Sequence, residues 1–198
     1  MAYVTLADLK GFVGIPALDV ADDTTLQRAL DAAEEQVNAY TGRRFTAEGS
    51  ASVRYYRALS GSVVEIDPLA TTTDLAVALD RAGDGTFEET LTLDTHYRLA
   101  PYKAAVLGAP WSRLVALTGT TFPEDDRRVR VTGRYGYATV PASVKQATLI
   151  IATKLWKRKD APFGIAGSVE FGSEMRILPG DLDAERLLRP YRHIWAVA

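Results

Sequence analysis

Val140-Pro-Ala-Ser-Val-Lys-Gln-Ala-Thr-Leu-Ile-Ile-Ala-Thr-Lys-Leu-Trp-Lys-Arg-Lys159 decides the fold. Val144, Ala147, Ile151 and Leu155 recur at helical spacing, and Leu149, Ala152 and Trp156 widen the stripe until most of the circumference from Ala142 to Lys159 is apolar. Pro141 stands where a helix begins, because the N–H it lacks would have had no intrahelical partner. A helix this apolar must be covered on more than one side, so other helices or other copies of the chain have to pack on it.

On the N-terminal side of this helix the period changes. Between Val53 and Gly133 it falls from 3.6 to about 2, in short β-rich runs at Ser52–Leu59, Ser62–Ile66, Leu75–Leu79, Tyr97–Leu99, Leu114–Leu117 and Arg128–Thr132. Asp84-Gly85 is the dipeptide a tight hairpin prefers, since its backbone must reach positive φ. These runs predict a small antiparallel β unit. Before it, Thr5 and Asp8 have the spacing of a variant capping box, and Leu6, Leu9 and Val13 make a short helix ended by Gly14 and Pro16. Leu26, Leu30, Ala33, Val37 and Tyr40 then predict an amphipathic helix over 23–41, started by an Asp22 or Asp23 side-chain cap and stopped by Gly42.

The expected fold class is α+β: a helical body of two N-terminal helices and one long C-terminal helix, an inserted antiparallel β domain, and an extended tail. The expected divisions are 1–50, 51–136, 137–160 and 161–198, the last ending in a short helix from Asp181 to Leu188 before Pro190. An insert of this kind requires its two ends to lie together.

Composition removes several classes of function. The 198 residues include 23 basic and 25 acidic side chains, for a net charge of −2, and no cysteine. Disulfides, thiolate nucleophiles, iron–sulfur clusters and zinc ribbons are thereby excluded. The start MAYVTLADLKGF shows no signal-peptide pattern, and no run approaches the roughly 18 apolar residues that span a bilayer. Near-neutral charge argues against a dedicated DNA or membrane-surface protein.

Chemical motifs are sparse. His96 and His193 are the only histidines, and neither has a metal-ligand companion nearby in sequence. Asp80 to Gly85 begins like a calcium loop, but Ala82 and Leu91 stand where oxygen ligands are required. Phosphate-loop, dinucleotide, nucleophile-elbow and zinc-protease signatures are missing, so neither an enzyme nor a cofactor is expected. The basic cluster is Lys154, Lys157, Arg158 and Lys159, with Arg43 and Arg44 as a smaller companion. These residues could bind phosphates as a small nucleic-acid-binding module. The stronger alternative is that cations at a helix C-terminus complement its dipole while Trp156 packs inward. Phe163, Ile165, Phe171, Met175 and Ile177 lie in a glycine-punctuated tail too thin to bury them alone, which favours a partner over the chain's own core.

Several of these stretches together resemble a known family. Val140 to Ala147 and Lys154 to Gly167 are similar to the C-terminal helix and following loop of head-to-tail connector proteins of tailed bacteriophages, also called adaptors or head-completion proteins. Thr5-Leu-Ala-Asp-Leu9, Tyr40-Thr-Gly-Arg-Arg-Phe45 and the segment from Leu79 to Phe87 feeding Tyr97-Arg-Leu99 resemble the versions from phages of actinobacteria. The resemblance spans nearly the whole chain, though it consists of packing and turn patterns. It implies a structural virion protein, assembled in the host bacterial cytoplasm and located in the neck. There it would form a ring, usually of twelve subunits, under the portal protein. It implies a stopper or tail terminator on the tail side, and genomic DNA passing through without specific binding. It also implies portal contacts by Phe163, Ile165, Phe171, Met175 and Ile177. Twelve copies at −2 would make a mildly repulsive channel in which DNA slides.

Overall fold

The computed structural model describes residues 2–158 and 182–192, together with the backbone of 165–166 and 175–176. Helices combine with an antiparallel sheet in an α+β fold. The chain divides into two compact units. One comprises Met1–Arg43 with Val140–Ala198, and the other is the continuous segment Arg44–Thr139.

In the first unit, α1 (Leu6–Val13) opens with a complete capping box: the Asp8 N–H donates to Thr5 Oγ1 at 3.1 Å, and the Thr5 N–H donates to Asp8 Oδ2 at 2.9 Å. Helix α2 (Asp23–Thr41) buries Leu26, Ala29, Leu30, Ala33 and Val37, the face its periodicity predicts. Gly14 and Gly42 close the two helices in left-handed backbone, at φ 78° and 65°. The expected side-chain cap of α2 does not form. Asp22 makes no capping bond, and Asp23 instead faces Lys10 in an ion pair. That ammonium is buried and also donates to the carbonyl oxygens of Asp19 at 2.6 Å and Ala17 at 3.4 Å, so the 14–22 connection is folded over α1 around one charge.

Helix α4 (Ala142–Lys157) packs against α1, α2 and the short α5 (Leu182–Leu188). Val144, Ala147 and Ala152 are completely buried, and Leu149, Ile151, Leu155 and Trp156 are partly covered. Three helices of the same unit supply cover of the kind the sequence left open between other helices and other copies, while Ile151 and Leu155 of the main stripe stay only partly covered. Pro141 takes the cap position, one residue before the helix, and its carbonyl accepts from Val144 and Lys145. A 3-10 turn, Arg189–Tyr191, follows α5 at the expected proline.

The second unit is a six-stranded antiparallel sheet of β1 (Ser52–Tyr56), β2 (Val63–Leu79), β3 (Glu89–Leu91), β4 (Tyr97–Ala100), β5 (Trp111–Ala116) and β6 (Val129–Tyr135). Its order is β1-β6-β2-β5-β4, and β3 pairs with the end of β2. Two strands expected at Ser62–Ile66 and Leu75–Leu79 prove to be the ends of the single strand β2. Pro68 interrupts the pattern in sequence because it cannot donate to a ladder, and the register shifts there, between Glu65 and Leu69. The N-terminal half of β2 pairs with β5 and the C-terminal half with β6, so this one strand ties the sheet together. Val64, Leu69, Val77, Leu79, Leu114, Val129 and Val131 form its core.

The tight hairpin expected at Asp84-Gly85 is also corrected: β2 and β3 are joined by the nine-residue loop 80–88. The buried Asp80 carboxylate organises it, accepting from the Gly83 N–H at 2.5 Å and the Gly85 N–H at 3.0 Å. The first strand stops at Tyr56 rather than Leu59, which is exposed. A four-residue helix, α3 (Ala104–Leu107), joins β4 to β5 and was not legible in the period-2 pattern. In the tail, β7 (Ile165–Ala166) pairs antiparallel with β8 (Met175–Arg176).

Candidate functional site

The predicted basic cluster is only partly brought together. Lys154 and Arg158 line a cavity of about 220 Å³ between α2, α4 and α5, whose apolar wall is formed by Tyr40, Ile151, Leu155 and Leu188. Glu185 also lines it, so the cavity carries both signs of charge. Lys157 is exposed in the last turn of α4, where a cation suits the helix dipole. Arg43 is half-buried, with Nε shielded from water and without a hydrogen-bond partner among the described residues, while Arg44 belongs to the other unit. Lys159 lies outside the described residues. So do Phe163, Phe171 and Ile177 from the predicted portal-contact set. Ile165 and Met175 are placed by backbone alone, in β7 and β8.

Among the described residues no group of three or more metal-ligating side chains converges, and no helix is long and apolar enough to cross a membrane. His96 serves its own turn, where Nδ1 accepts from the Thr92 N–H at 2.9 Å; His193 is outside the described residues. The densest polar network is structural. Arg54 contacts Asp67 at 2.7 Å and Glu48 at 2.5 Å, and its guanidinium lies 3.9 Å from the Tyr135 ring centroid. Burial opposes that charge, and hydrogen bonding to Asp67 with the attraction of Asp67 and Glu48 outweighs it, so the Arg54 pKa is held above its ordinary value. Burial pushes the Tyr135 phenol up to about 12 and Tyr56 higher still, leaving both protonated and unfit as bases near neutrality.

Sequence reasoning missed one surface. On the outer face of β1, Val53 and Tyr55 are 51% and 42% exposed. The Tyr55 ring lies 5.5 Å from that of Phe87, at 46°, with Arg127 5.0 Å above Tyr55 and Arg130 4.6 Å above Phe87. The signal was available in the alternation Val53, Tyr55, Arg57 along β1 and just past its end. Its meaning depended on Phe87 and Arg127, which come from other parts of the chain. A second exposed apolar group is Tyr102, Val106 and Leu107 around α3.

The architecture has solved counterparts. Over 98% of its length the chain is similar to a chain in the neck of an empty gene transfer agent (GTA) particle computed with C6 symmetry, with TM-score 0.55, 21% identity and 92% of that chain covered. Over 98% it is likewise similar to a chain in the neck of the native particle computed with C12 symmetry, with TM-score 0.53, 21% identity and 91% covered. It shares their fold. A chain from the virion of the native particle matches similarly, at 20% identity and TM-score 0.55. No protein-family model matches the chain, and comparison with curated proteins finds no match. These likenesses lead to gene transfer agent particles and do not support the finer resemblance to actinobacteriophage versions.

Proposed function

We propose that this chain is a structural protein of the neck of a phage-type particle, where it acts as a head-to-tail adaptor. The observation that carries the reading is the extent of the likeness: both units together, over nearly the full length of each chain, correspond to a chain of a particle neck. The C12 symmetry of one such neck supports a ring of copies, and a ring with closed rotational symmetry joins unlike faces of adjacent subunits. In this role the chain sits beneath a portal protein, carries a stopper or terminator on its tail side, and surrounds a passage for DNA. The segment 161–198, with Phe163, Ile165, Phe171, Met175 and Ile177, is the proposed portal contact. The near-neutral charge and the mixed lining around Lys154 and Arg158 favour this reading over a dedicated nucleic-acid-binding module.

Mixing the purified chain with its portal protein tests the assignment. A stable complex with a ring visible by electron microscopy is expected, and affinity should fall when residues 161–198 are deleted. A portal that never retains the full chain would defeat the adaptor role, whereas retention unaffected by the deletion would defeat only the tail assignment.

A further inference from the structure

Three strands of the sheet pair on one side only, β1, β4 and the three-residue β3, and the two long ends are built differently. Strand β4 is guarded, since Arg98 pairs with Asp94 at 3.8 Å and the strand runs directly into Pro101, which has no N–H to offer. Strand β1 carries no proline, its one charged residue, Arg54, is held by Glu48 and Asp67 on the face opposite Val53 and Tyr55, and among the described residues it pairs only with β6. Every second residue of such an edge turns an N–H and a C=O outward, a template for another extended segment. Beside this edge lies the row Arg127, Tyr55, Phe87, Arg130.

The arginines of this row differ from their neighbours. Arg128 is engaged by Asp125, Arg134 by Asp74, and Arg54 by Glu48 and Asp67. Arg127 and Arg130 have no carboxylate partner among the described residues and rest on aromatic faces. A guanidinium lying over a ring keeps its N–H donors around its rim, where they fit a carboxylate or phosphate in a fork. The ring faces toward the arginines are taken, which leaves fewer faces for stacked bases. The open groups are backbone hydrogen-bonding positions on β1, two apolar side chains two residues apart, and two unpaired cations.

We propose that the β1 edge accepts an extended acidic polypeptide segment from a partner protein. The segment adds as a further strand, its backbone pairing with β1; Tyr55 is the register partner of Arg130, so on the one face shared with Val53 and Tyr55 the segment carries both kinds of side chain, apolar ones beside Val53 and Tyr55 and acidic ones reaching Arg127 and Arg130. Nothing in this proposal depends on the neck reading, because the edge, the rings and the charges all belong to the segment Arg44–Thr139.

Fluorescence anisotropy with the full chain and a labelled peptide of about eight residues, in which Glu and Val take turns at every second position with Thr between them, provides the test. Binding is expected, with backbone NMR shifts centred on residues 52–56 and an affinity loss of about tenfold or more in Arg127→Glu/Arg130→Glu. Two N-methylated versions of the peptide, blocked at the odd or the even residues, test the strand pairing without altering the protein, and one of them must fail to bind. A Lys-for-Glu peptide should also fail. The proposal is overturned if the acidic peptide shows no binding by about 1 mM, if both N-methylated versions bind as well as the parent, or if oligothymidine binds more tightly than the peptide.

Discussion

The helical unit and the β unit reach stability by different routes. In the helical unit each element carries its own punctuation: a capping box at Thr5 and Asp8, left-handed glycines at 14 and 42, and an apolar stripe readable within each helix. In the β unit the deciding contacts join residues remote in sequence. The Gly136 N–H donates to the Pro68 carbonyl at 2.7 Å, and Glu48 donates to the Tyr135 carbonyl at 2.8 Å. Local signals contribute about 1 kcal/mol each, whereas distant close approaches have no alternative arrangement and cost more when disturbed.

Substitution at Gly136 should give the largest effect. Its φ of 115° is strained for any side chain, and an added Cβ would strike the backbone of Thr46. Gly136→Ala should cost about 3 kcal/mol or more, read as lost hydrogen-exchange protection in β6. An unchanged denaturation midpoint would show that the chain does not pass so closely there.

Alkaline pH should act on the β unit next. Burial raises the pKa of Tyr97 and of Tyr135 from 10 to about 12. The folded state therefore holds these protons more tightly than the unfolded chain. Their contribution is complete below pH 10 and is lost as pH rises through about 12, at roughly 2 to 3 kcal/mol each. Urea midpoints between pH 8 and pH 12 should fall accordingly, and Tyr135→Phe should flatten part of that fall. A profile of identical steepness in the variant would contradict the assignment.

Lys10 is one of the helical unit's longer-range devices, beside the Tyr3 contacts to Glu34 and Asn38. Lys10→Met retains the stem but leaves the Asp23 carboxylate and the Asp19 carbonyl without their cation, at about 2 kcal/mol. Proteolysis should then begin near Leu18, which is 94% exposed. The smallest effect belongs to the local cap: Thr5→Ala should cost about 1 kcal/mol, confined to exchange in the first turn of α1. If Thr5→Ala proved costlier than Gly136→Ala, the contrast between the units would collapse.

Legibility followed the same division. The bounds of α2 and the stripe of α4 could be read because helical neighbours lie three or four residues apart. The continuity of β2 through Pro68 could not, because a proline normally ends a strand and only pairing with β5 and β6 carries it through. The 80–88 loop was misread as a tight turn because Asp80, outside the Asp84-Gly85 dipeptide, supplies the acceptor that shapes it. The basic cluster was visible as composition. Its separation into a cavity wall, a half-buried Arg43 and an Arg44 in the other unit was not.

By itself the sequence determined where α1, α2 and α4 lie, that glycines stop the first two, and that thiol chemistry is not available. These properties rest on side-chain periodicity and on backbone preferences acting within a few residues. Only the tertiary structure decided which helices of its own unit pack on α4, how the ends of the sheet differ, and that Arg127 and Arg130 rest on rings with no carboxylate partner among the described residues. Those outcomes depend on which distant groups come within about 4 to 6 Å of one another, and contact energies decay over that range.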